Sequence, residues 1–145
     1  MSVYVDSGVL VKLYIREPNS AQAAAVVREH PVLPLNGLLE LEVRNSFRAL
    51  ESRGVLTGAQ RTAAEHFLDL DCVEGRLQPV PVDWTAVLQH SIALGRSFTS
   101  QTLARSLDIL HIALALHLQC GLFITADRRQ AEFARCCKLP VVLIT

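Results

Sequence analysis

The chain has 145 residues, half of them hydrophobic and 19% charged, which suits one globular domain over 1–145 with a buried core and excludes a disordered chain. Its 14 basic and 14 acidic residues cancel, which excludes a protein that holds a polyanion by bulk charge alone. The basic side chains are 12 Arg and 2 Lys, and Arg is the better bidentate partner for phosphate or carboxylate.

Elements in chain order alternate between β and helical patterns. Val3-Tyr4-Val5 is a short β-rich run, followed by helical patterns over 7–16 and 19–29 that Pro18 and Asn19 separate. A second strand is expected at Leu33-Pro34-Leu35, then a helix over 38–53 ended by Gly54 and a helix over 58–74 capped by Thr57. A third strand is read at 77–82, with a helix over 84–97 and another over 104–119. Leu122-Phe123-Ile124-Thr125 and Val141-Val142-Leu143-Ile144 close the pattern around a helix over 127–137. Several of these strands are apolar without alternation, as strands covered on both faces are, which predicts an α/β fold around a parallel sheet.

Cys72, Cys120, Cys136 and Cys137 form no C-x-x-C pair, so reduced thiols are expected. Met1 to Asp6 is not a basic leader before an apolar run, and no stretch reaches the roughly 20 apolar residues of a membrane helix. A cytoplasmic protein without a membrane partner is the expectation.

Acidic residues carry the candidate chemistry. Asp6 follows the first strand and Asp127 follows the strand ending at Thr125, and ligands of open parallel sheets bind at the carboxyl ends of strands. Both also suit helix N-caps. Asp108 opens a segment that is apolar almost all round, where a carboxylate needs a partner or a cation. Ser106 is available as the cap there, and His111 lies on roughly the same face as a simple hydrogen-bond partner for Asp108. On the helix over 38–53, Glu40 shares a charged sector with Arg44, whereas Glu42 lies at the opposite edge of the apolar stripe and is the better candidate ligand. Four carboxylates meeting in one cleft would repel and would bind a hard divalent cation such as Mg²⁺ or Mn²⁺, a combination suited to phosphodiester hydrolysis.

Four blocks carry a family resemblance: Val3-Tyr4-Val5-Asp6-Ser7-Gly8-Val9-Leu10-Val11-Lys12, Leu41-Glu42-Val43-Arg44-Asn45-Ser46-Phe47, Ser106-Leu107-Asp108-Ile109-Leu110-His111-Ile112-Ala113 and Phe123-Ile124-Thr125-Ala126-Asp127-Arg128-Arg129. In this order and approximate spacing the sequence resembles the PIN-domain nucleases, most closely the VapC-type toxins of bacterial toxin–antitoxin pairs. The resemblance implies a three-layer α/β/α fold with a central parallel sheet and a Mg²⁺- or Mn²⁺-dependent endoribonuclease. It implies Asp6 and Asp108 as central metal ligands, Glu42 and Asp127 as completing the acidic ring, and a metal-activated water as nucleophile. Ser7, Asn45 and Thr125 fall where the family places residues that orient carboxylates or water. Arg96, Arg105, Arg128 and Arg129 are candidates for RNA phosphate contacts. Implied partners are an RNA substrate, a cognate antitoxin and a second copy in a homodimer. The family block usually reads Asp-Ala-Leu-His; here Ile109 replaces the Ala, which changes packing volume and leaves the ligand intact.

Rival readings fit less well. A phosphotransferase of the haloacid dehalogenase type needs a second Asp two residues after the first, where Gly8 stands, and Lys138 is the only late Lys a receiver domain could use. No G-x-S-x-G is present for a serine hydrolase. The alternative that keeps the fold is a catalytically silent PIN-like module that binds RNA or an antitoxin; all four carboxylates are present.

Overall fold

The computed structural model describes residues 2–145. Among them the elements run β1 (Val3–Val5), α1 (Ser7–Tyr14), α2 (Ser20–Val27), β2 (Leu33–Leu35), α3 (Gly37–Ser52), α4 (Gly58–Val73), β3 (Leu77–Pro79), α5 (Trp84–Thr102), α6 (Ser106–His117), β4 (Leu122–Thr125), α7 (Arg128–Cys136) and β5 (Val141–Leu143). The chain divides into two compact units: one holds the chain up to Asp6 together with Pro81–Thr145, and the other is Ser7–Val80.

In the first unit β1, β4 and β5 form a parallel sheet in the order β1-β4-β5, with Val5 opposite Ile124 and Thr125 opposite Leu143. Val3, Tyr4 and Val5 are all buried, as are Phe123, Ile124 and Thr125, so these strands are covered on both faces. That is why they read as continuous apolar runs rather than alternating ones. The connection from β4 to β5 is the helical crossover that parallel neighbours require, supplied by α7. Helix α6 buries Ile109 and the run from His111 to Ala115, and α5 and α7 pack against it. The core lies among these helices and the sheet, where Tyr4 stacks on Phe123 at 5.4 Å between ring centroids and Phe98 meets Phe133 edge-on.

Helix α5 runs five residues past the predicted end at 97. The segment Ser97 to Thr102 is rich in hydroxyl side chains, but Ser97 Oγ and Thr102 Oγ1 donate back to the carbonyls of Ala93 and Phe98, so these two hydroxyls are satisfied inside the helix. Leu103, left-handed at φ 55°, ends it.

In the second unit β2 and β3 pair in parallel, with Leu33 opposite Leu77. Pro79 and Pro81 lack the amide donors a longer β3 would need, which shortens the strand read at 77–82. The parallel strands thus fall into one three-stranded and one two-stranded sheet. Helix α1 packs on α2 and α3, and α3 on α4, around Leu39, Val43, Phe47 and Leu68. Thr57 caps α4 with a complete capping box, Asn36 caps α3 through Leu39 N, and Gly54 follows α3 at φ 75°. Arg44 bridges Glu40, the predicted surface pair, and also Asp69. The four cysteines are free, and no helix of the described residues is long and apolar enough to cross a membrane.

Candidate active site

Because Val5 sits opposite Ile124 and the Asp6 amide donates to the Ile124 carbonyl at 2.9 Å, the β1–β4 ladder extends one residue past β1. Asp6 therefore stands beside Thr125 at the carboxyl edge of the sheet, and Asp127 follows two residues on. A buried network joins them. Thr125 Oγ1 accepts the Asp127 amide at 3.0 Å and donates to Gln130 Oε1 at 2.6 Å, while Gln130 Nε2 donates to Asp6 Oδ1 at 3.1 Å. Asp6, Thr125 and Gln130 are 8%, 0% and 3% exposed, so these bonds form away from competing water. Asp127 itself is exposed and caps α7, its Oδ1 accepting from the amides of Arg129 and Gln130.

His111 reaches beyond its own helix: its Nδ1 is 2.8 Å from the Tyr4 hydroxyl and its Nε2 3.8 Å from Asp6 Oδ1. His111 lies inside the buried stretch of α6, whereas Asp108, one turn earlier, is half-buried at the helix start. Ser106 is not the cap, being the first residue of α6. Arg105 takes the cap position, and Asp108 Oδ2 accepts the Arg105 amide at 3.0 Å.

Ser7 opens α1 and is half-buried; Glu42 lies half-buried on α3, and Asn45, further along that helix, is exposed. Arg96, Arg105, Arg128 and Arg129 are all exposed, available to phosphate and equally ordinary as surface charges. Gln130 and Tyr4 were not among the candidates the sequence singled out. Gln130 carried a signal, because Asp127-x-x-Gln130 is a capping-box spacing.

The sequence profile of the PIN domain matches residues 3–135. The chain belongs to the PIN domain family. Its fold is similar to that in the crystal structure of FitAcB from Neisseria gonorrhoeae, at a TM-score of 0.67 and 16% identity over 96% of this chain and 95% of that one. It is also similar to that of VapBC2 from Rickettsia felis bound to a DNA fragment from their promoter, at a TM-score of 0.63 and 13% identity over the whole of both chains. No curated protein matches this chain in sequence. The PIN assignment carries with it the three-layer α/β/α class, and PIN domains are generally nucleases that typically use divalent metals.

In this PIN domain the donors fit a hard cation in kind, since Asp6, Asp108 and Asp127 offer carboxylate oxygens. Each holds one oxygen in a hydrogen bond to the protein, which fixes its orientation. Among the described residues no group of three or more His, Cys, Asp or Glu side chains stands ready to hold a metal. Like charges without a cation repel, and Mg²⁺ needs only about one or two carboxylates alongside water and substrate phosphate.

Proposed function

We propose that this PIN domain is a Mg²⁺- or Mn²⁺-dependent endoribonuclease that serves as the toxin of a toxin–antitoxin pair. The observation that carries the reading is the hydrogen-bonded assembly of Asp6, Thr125, Gln130 and Asp127 at the carboxyl edge of β1 and β4, within a chain matched by the PIN domain over residues 3–135. Asp6 and Asp108 are the central ligands, and Asp127 completes the acidic set directly or through water. A bound divalent ion supplies charge to offset the phosphoryl oxygens and lowers the pKa of the attacking water.

The chain's own residues do the rest. Asp6, buried at 8% exposure, presents its carboxylate from a fixed position because Gln130 holds Oδ1. Asp127 stays on the exposed rim, where α7 begins with Arg128 and Arg129, two cations beside the path of an incoming phosphate backbone. The likeness of the sequence to VapC-type toxins and the fold shared with FitAcB and VapBC2 support a cognate antitoxin as partner. A homodimer and a cytoplasmic location belong to the same reading.

Incubation of the purified, partner-free protein with total bacterial RNA in Mg²⁺ or Mn²⁺, followed by sequencing of the cut ends, tests it. Discrete cuts that vanish with EDTA and in Asp6→Asn are expected. Cutting that persists in Asp6→Asn overturns the site, and metal binding without cutting favours a silent binding module.

A further inference from the structure

Two helices of this chain begin with the same spacing of residues and use it differently. At α4, Thr57 and Gln60 form a closed box: Gln60 N donates to Thr57 Oγ1 at 3.1 Å and Thr57 N donates to Gln60 Oε1 at 2.8 Å. At α7, Asp127 and Gln130 form only the first half, with Gln130 N donating to Asp127 Oδ1 at 3.1 Å. The second half is taken over by Thr125, whose Oγ1 accepts the Asp127 amide at 3.0 Å. Gln130 is thereby free to turn away from the helix end, and its side chain goes to Asp6.

The direction of the chain of bonds follows from which groups carry hydrogens. The Asp127 amide can only donate and the Asp6 carboxylate can only accept, so Thr125 Oγ1 accepts from the amide, Gln130 must face Asp6 with a donor, and Thr125 sends its own proton to Gln130 Oε1. That makes Oε1 the acceptor end of the amide and turns Nε2 toward Asp6 Oδ1, which accepts. A buried Gln needs both ends satisfied, and an apolar residue would serve for packing beside the buried Ala131, Phe133 and Ala134. We infer that Gln130 is a positioning residue that orients the Asp6 carboxylate for a divalent cation, with Thr125 holding the other end of its amide. The inference rests on Asp6 being a metal ligand.

Calorimetric titration of the metal-free protein with Mn²⁺ tests it, alongside circular dichroism and the metal-free melting temperature. Gln130→Met keeps the length and removes the amide; it is expected to weaken Mn²⁺ binding roughly 10–100-fold, the usual cost of losing a hydrogen-bond partner of a ligand. Thr125→Val should weaken it similarly by releasing the Gln130 amide to rotate, Thr125→Ser should restore binding, and the Thr125→Val/Gln130→Met double variant should bind no more weakly than either single one. Should Gln130→Met fail to fold, the Thr125 pair carries the same comparison. A lowered melting temperature with unchanged Mn²⁺ affinity would make Gln130 purely structural and overturn the role, as would fully additive losses. Absence of Mn²⁺ binding by the unsubstituted protein overturns the metal reading and the positioning role with it; Mn²⁺ binding without RNA cleavage removes only the ribonuclease reading.

Discussion

The Tyr4 hydroxyl lies 2.8 Å from Nδ1 of His111, tying the middle of β1 to the buried face of α6 across 107 residues of sequence. Tyr4 is fully buried and His111 is 1% exposed, so the pair exchanges its hydrogen bond with no water at hand. Tyr4→Phe preserves the stacking on Phe123 and removes only the hydroxyl. The expected cost is about 1–3 kcal/mol, because a buried imidazole nitrogen loses its partner. Urea denaturation measures it, and a midpoint unchanged from the parent would show that His111 finds another partner.

Asp127 caps α7, and substitution can separate that cap from its proposed part in cleavage. Its Oδ1 caps α7, and Asn caps about as well as Asp, so Asp127→Asn should leave the melting temperature nearly unchanged while abolishing metal-dependent cleavage. Asp127→Ala should lose cleavage and, in addition, about 1 kcal/mol of stability. If Asp127→Asn cleaves as well as the parent, the charge at this position is not used in the reaction and only the cap remains.

What the sequence disclosed was local. The apolar runs at Val3–Val5 and Leu122–Thr125, the Thr57 cap and the Gly54 stop are each decided by neighbours within a turn or a strand, and each stands where the pattern placed it. The end of α5 was misjudged because its stop is Leu103 in a left-handed conformation, a position glycine usually announces. Partners were the harder matter. His111 sits three residues from Asp108 in sequence, and its contacts to Tyr4 and Asp6 span more than a hundred positions, beyond the reach of any local pattern. Gln130 was hidden for the same reason, since its capping spacing is local and its bond to Asp6 spans 124 residues. The acidic candidates came from strand ends for Asp6 and Asp127, an all-apolar helical stretch for Asp108 and the edge of an apolar stripe for Glu42, and the four-block resemblance joined them into one set.

Divalent ions should stabilise the fold. An ion that binds the folded chain and not the unfolded one raises the melting temperature with concentration, and here it would also relieve repulsion among carboxylates. Millimolar Mn²⁺ or Mg²⁺ is expected to raise the melting temperature of the parent protein, and Asp108→Asn to reduce that response. Asn at this position still accepts the Arg105 amide that Asp108 Oδ2 now accepts, so the helix start is preserved and the comparison isolates the charge. Equal shifts in parent and variant would remove Asp108 from the ligand set.

Alkaline pH should weaken the protein through the second unit. The Tyr14 hydroxyl donates to Asp71 Oδ2 at 2.5 Å, and burial, then the bond to Asp71 and its negative charge, push the Tyr14 pKa well above the ordinary value of 10.0. Burial likewise pushes the Cys137 thiol in the first unit from 9.0 up to about 11. Both groups hold their proton more tightly folded than unfolded, so their stabilising effect is complete below the unfolded pKa values and is lost as pH rises through the window above them. Tyr14→Phe should cost about 1–3 kcal/mol at neutral pH, where the hydroxyl bonds a carboxylate. Above pH ~10, where the unfolded tyrosine ionises and the folded one does not, the parent should lose stability faster than the variant, and their curves should converge. Cys137, together with Cys120 and Cys72, whose thiols burial also pushes up, contributes to the residual slope in Tyr14→Phe, and Cys137→Ala should flatten it between pH ~9 and ~11. Stability curves of parent and Tyr14→Phe that stay parallel through this range would show that Tyr14 keeps no proton the unfolded chain gives up.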